Sequence, residues 1–129
     1  MYDVALKLCA LAAVGLVAVG VLALISPRRL SRSYGVEVHD AASFAWVRAT
    51  GVRDLILGAI LGAATFADDT LIVLVICCAG LALSLADFLL ALTFARRLRS
   101  EHGAHLGGAV AFLVIIILIM QSSGGAFRP

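Results

Sequence analysis

The stretch LIVLVICCAGLALSLADFLLALTF, Leu71–Phe94, carries Asp87 as its only charged residue. A hydrocarbon slab about 30 Å thick is crossed by about 20 apolar residues wound as an α-helix, so this run alone predicts a transmembrane helix. Val4–Ile25 and Phe44–Phe66 are comparable runs. Leu106–Met120 is shorter, but His102 to Ser123 carries it through both interfaces. The runs are continuous and rich in Ala and Leu. A membrane β-barrel would instead show segments of about ten residues that alternate apolar and polar. The expected fold is all-α: one four-helix integral membrane bundle over residues 1–129, with helices at about 4–25, 41–66, 70–94 and 104–122 and a short interfacial helix after the first.

Composition agrees with that class. Of 129 residues, 63% are hydrophobic and 14% charged, against about 45–50% and about 25% in soluble domains. The chain lacks the polar surface that a water-soluble globule needs. The N-terminal run has a weak charged region (Asp3, Lys7), a long apolar core and no small-residue cleavage site, and it reads as a retained helix rather than a signal peptide. Cys9, Cys77 and Cys78 lie within apolar runs, and there is no C-x-x-C. They read as small core residues rather than a disulfide framework or redox relay.

The net charge of +2 conceals an asymmetry. Arg28, Arg29 and Arg32 follow the first helix, Arg96, Arg97 and Arg99 follow the third, and Asp68 and Asp69 lie after the second. The positive-inside rule places both arginine loops in the cytoplasm and both termini outside a cell membrane. Clusters this short, split over two loops, read as topology signals and lipid-headgroup contacts rather than a nucleic-acid surface. Between the spans, Pro27 suits the first turn of a short helix capped by Ser26, PRRLSRSYG. It places Tyr34 at headgroup depth and Gly35 at its stop. Asp40 suits the N-cap of the second long helix, Trp46 an aromatic belt, and Asp69 or Thr70 the cap of the third.

Polar groups inside the apolar runs are the candidate site. On the second long helix Arg48, Gly51, Leu55, Gly58, Gly62 and Thr65 form one stripe, with Gly58 and Gly62 as a small-xxx-small pair that lets membrane helices approach closely. Arg53 points elsewhere and has no acidic neighbour one turn away. Sequence neighbours do not face each other on a helix, so Asp54 is not its expected partner. Asp87, on a stripe of Cys77, Gly80 and Ser84, lies at matching depth on an antiparallel neighbour, so an Arg53–Asp87 pair or one centred on Asp54 is expected. His105 enters from the same end with His102 one turn earlier. Intramembrane charges cost about 2.5–3.5 kcal/mol each on insertion scales and mark function by default. Arg53, Asp54, Asp87 and His105 are therefore the candidate catalytic residues, and Arg48, Tyr34 and His102 candidate ligand-binding residues. The bland readings stand beside these: Arg48 snorkelling to headgroups, His102 a solvated loop residue, and Arg53–Asp54–Asp87 a structural salt-bridge knot. Asp54, Asp87, His102 and His105 are metal-ligand types, but an arginine among them would repel a cation, so no metal is expected. No phosphate loop, nucleophile elbow or dinucleotide fingerprint is present, and no cofactor is expected.

The order Pro27, Tyr34-Gly35, RATGVRDLILG (Arg48–Gly58), Asp87 and HLGGAVAF from His105 resembles a family of small four-helix membrane proteins of unknown function, found in bacteria and fungi and distantly like DoxX-type proteins. The resemblance covers nearly the whole chain, and its most specific part is G-x-R-D-x-x-x-G, Gly51 to Gly58. Arg53, Asp54, Asp87 and His105 match that pattern. The resemblance implies four transmembrane helices and no established reaction.

Two functions of different class follow. In the first, the polar groups form an intramembrane site on the cytoplasmic side that binds or converts a small lipophilic molecule by acid–base chemistry, as an isomerase or cyclase would. It requires a pocket bordered by Arg53, Asp54, Asp87 and His105. The alternative is a non-catalytic accessory module or homo-oligomer, its charges fully paired and its glycine stripes used for packing. It requires a dry cluster at Asp87. Whether the chain is an enzyme stays open here. An ion pathway ranks last, because little polar continues through the outer halves of the last three helices. The expected partners are membrane lipids, the lipophilic ligand and other copies of the chain.

Overall fold

The computed structural model describes residues 2–33, 39–95 and 103–123, and every element among them is a helix: α1 (Tyr2–Ile25), α2 (Pro27–Ser33), α3 (Ala41–Phe66), α4 (Thr70–Ala95) and α5 (Gly103–Ser123). Four of these are long and apolar enough to cross a membrane. Their outward faces are dominated by large apolar side chains such as Leu11, Ile25, Val75 and Met120. Water would not tolerate such a surface, whereas lipid would.

Local chemistry sets the helix ends. The Asp40 carboxylate accepts from the Ser43 amide at 2.8 Å and from the Ser43 hydroxyl at 2.6 Å, capping α3. Those bonds hold the Asp40 carboxyl below its usual range. Asp69 caps α4 by accepting from the Ile72 amide at 3.1 Å. The turn between α3 and α4 passes through Asp68 at φ 56, a left-handed conformation that Asp tolerates better than most residues. Pro27 opens α2 where no amide is needed, and the Ser26 carbonyl accepts from Arg29 and Leu30. Pro27 thus turns the chain out of α1 within one residue. The expected stop at Gly35 lies outside the described residues.

The four long helices form two close antiparallel pairs, α1 on α3 and α4 on α5, joined along looser α3–α4 and α1–α5 seams. Missing side chains make the pairs close. A Cβ on Gly58 would lie 2.8 Å from the Ala13 carbonyl oxygen, and one on Gly20 would lie 2.6 Å from the Gly51 carbonyl oxygen. In the other pair the Phe112 ring sits where a Gly80 Cβ would be, at 2.6 Å. The glycine stripe of α3 is therefore engaged with α1 of the same chain through Gly51 and Gly58.

The bundle differs at its two ends. The half near the α3–α4 turn is dry, with Ala5, Cys9, Leu61, Val73, Cys77 and Ile119 in one buried cluster. Cys9 and Cys77 are free, buried thiols within that cluster. Beyond the core, the Tyr2 hydroxyl donates to Asp68 Oδ1 at 2.6 Å and meets Thr70 Oγ1 at 2.8 Å. That contact ties the start of α1 to the α3–α4 turn. The opposite half, beside α2, is not filled.

Candidate functional site

Small residues create the gap at the α2 end. Ala12 and Gly15 of α1 and Ala111 of α5 line it, and a Cβ on Gly15 would have nothing within 4 Å. The result is a cavity of about 510 Å³ between the helix pairs, within the roughly 300–1,000 Å³ range of small-molecule pockets. Leu16, Leu57, Ile76, Leu83 and Phe112 make its wall largely apolar, and Leu30 and Ser31 of α2 reach it from the end. Arg28 of α2 stacks on Phe44 of α3, its guanidinium carbon 5.1 Å from the ring centroid, a cation–π contact that ties α2 to α3.

Arg53, Asp54, Asp87 and His105 all lie on the cavity wall. Arg53 Nη2 donates to Asp87 Oδ2 at 3.0 Å across the α3–α4 seam. Arg53 Nε and Nη2 also donate to Asp54 Oδ1, both at 3.1 Å. The second contact corrects the expectation that Asp54 would not serve Arg53. The Cβ atoms of adjacent residues do diverge by about 100°, but three methylenes let the guanidinium swing back over the neighbouring carboxylate. His105, in the first turn of α5, lines the same wall.

The expectation of a buried salt bridge also needs correction. Side-chain exposure is 32% for Arg53, 14% for Asp54 and 26% for Asp87. The charges border a void instead of being enclosed by packed side chains. Arg48 is exposed and is not part of the cavity wall. Tyr34 and His102 lie outside the described residues. Thr50 and Ser84 on the wall were not singled out as site residues, although Ser84 shares a helix face with Asp87. Among the described residues no group of three metal-ligand side chains converges.

Chemically, the wall offers one strong cation, two carboxylates and an imidazole beside an apolar chamber. Such a set can hold a polar head, orient it and move a proton, while the chamber takes an apolar body. The fold defines a multi-pass helical membrane protein with four apolar spans. Residues 13–119 match the family described as Domain of unknown function (DUF4267), and the chain belongs to it. No curated protein and no solved structure matches the chain.

Proposed function

We propose that this protein binds a small lipophilic molecule in the cavity between its two helix pairs, with Arg53, Asp54, Asp87 and His105 engaging the polar head. The supporting observation is the cavity itself: four ionisable side chains on the wall of a 510 Å³ apolar chamber. A structural ion-pair knot calls for none of that volume. Acid–base turnover of the bound molecule, of the isomerase or cyclase type, is the catalytic form of this reading. A carboxylate held by arginine and an imidazole close to it supply a proton acceptor and a donor. The arginine loops, and with them the α2 end that lines the cavity, face the cytoplasm.

The test is purification in a mild detergent, followed by native mass spectrometry of the intact protein and of Gly15→Phe, which puts an aromatic ring into the chamber. Wild type is expected to retain a lipophilic small molecule that Gly15→Phe does not. If both variants are folded and equally empty of ligand, across several expression hosts, the binding reading is lost. The second reading, a non-catalytic module, draws support from the Arg53–Asp87 contact, which crosses the looser α3–α4 seam. It predicts that exchanging the two residues (Arg53→Asp with Asp87→Arg) restores the assembly lost in either single variant, with no ligand involved.

A further inference from the structure

We infer that the cavity selects a lipophilic amine, a protonated nitrogen on an apolar body, over a carboxylate or other anion. This inference rests on the binding reading above and names the ligand's head group. The charged and titratable groups among the described wall residues are Arg53, Asp54, Asp87 and His105. With both carboxylates ionised against Arg53, the cluster sums to one net negative charge when the imidazole is neutral and to zero when it is protonated. It is net positive in neither case. Coulomb interactions strengthen as the surroundings become apolar, so the wall favours a single positive charge when the imidazole is neutral and a negative one in neither state.

The hydrogen bonds point the same way. Arg53 reaches Oδ1 of Asp54 and Oδ2 of Asp87, one oxygen of each carboxylate. An ionised carboxylate accepts through both its oxygens and donates through neither. The complementary head group is a donor, and an ammonium offers up to three N–H donors with the matching charge. The arginine also limits that charge to one. It cancels one carboxylate, so a monocation balances the site where a divalent ion would overload it. An anion would instead sit beside two carboxylates that already share Arg53, where like charges repel.

The experiment compares dodecylamine, dodecanol and dodecanoate, which share one chain and differ in head group, on protein in phosphatidylcholine nanodiscs. Occupancy is read by native mass spectrometry at a pH where both the amine and the acid are charged. Binding that Gly15→Phe abolishes is assigned to the cavity. Dodecylamine is expected to exceed dodecanoate by roughly tenfold or more, the scale of one charge-assisted hydrogen bond. Asp87→Asn is expected to erase that preference while dodecanol still binds. Cavity binding in which dodecanoate equals or exceeds dodecylamine overturns the amine assignment and leaves the lipophile-binding reading intact. Saturable binding of none of the three overturns both. Adding phosphatidylethanolamine to the nanodiscs identifies the source of the amine. Competition with dodecylamine makes it a bilayer lipid; undiminished dodecylamine binding makes it a free lipophilic amine.

Discussion

Arg53 Nη2 on α3 lies 3.0 Å from Asp87 Oδ2 on α4, so the contact joins the two close helix pairs along the wall of the chamber they enclose. Replacing Asp87 by Asn keeps the shape and removes the charge. Ligand binding is expected to weaken by about 10–100-fold, the range for losing a hydrogen bond to a charged group, with helical circular dichroism and detergent-phase monodispersity retained. Equal ligand affinity in Asp87→Asn and wild type would remove Asp87 from the site.

Gly15→Phe is expected to leave assembly intact, because nothing lies within 4 Å of the position a Cβ would take. A helix-interior glycine is also about 0.8–1.0 kcal/mol less favourable than alanine. Thermal unfolding of the ligand-stripped protein in detergent is therefore expected at the temperature of ligand-stripped wild type or above it. A variant that unfolds earlier than wild type would show that the chamber does not accommodate the ring.

Gly58→Leu tests the close α1–α3 pair. Its Cβ would approach the Ala13 carbonyl oxygen and the Val17 and Leu16 side chains at 2.8–3.0 Å, and overpacking of this kind costs typically about 1–3 kcal/mol. Gly107→Ala, where a Cβ meets nothing within 4 Å, is the control and is expected to be neutral or stabilising. Denaturant titration of both variants separates the outcomes. Equal midpoints would mean that Gly58 is not a packing contact.

The α3 cap makes stability pH-dependent. The Asp40 carboxyl is held below its usual value by the Ser43 hydroxyl and amide. A depressed folded-state value means that the contribution is full above the ordinary carboxylate range and is lost as pH falls through the folded value. Wild type and Asp40→Ala are therefore expected to differ in unfolding temperature at neutral pH and to converge in acid. A difference that persists unchanged into acid would assign the effect to something other than the carboxylate.

Much of this architecture is legible in the residues. Run length locates the four long helices, because a slab of fixed thickness leaves few choices. Asp40 announces the start of α3 through its own side chain. Depth along antiparallel helices pairs Arg53 with Asp87. The contacts that escape a helical projection depend on reach or on missing volume. Arg53 returns to Asp54 along its flexible stem, which Cβ directions do not describe. Cys9 and Cys77 meet across the bundle, and their surroundings are equally apolar in every direction. The chamber is lined by small residues such as Ala12, Gly15 and Ala111. Small residues of that kind signal close packing just as often, as Gly51 and Gly58 demonstrate, and only the spacing of the helices separates the two outcomes.

The contact of Tyr2 with Asp68 also imposes an order on biosynthesis. The partners are 66 residues apart, an interval of roughly 3–13 s at about 5–20 residues per second of translation. Gly51 and Gly58 are synthesised before Asp68, so α1 and α3 can seat against each other while the phenol still has no partner. The tie cannot close before Asp68 and Thr70 are made, so the first helix pair can form without it.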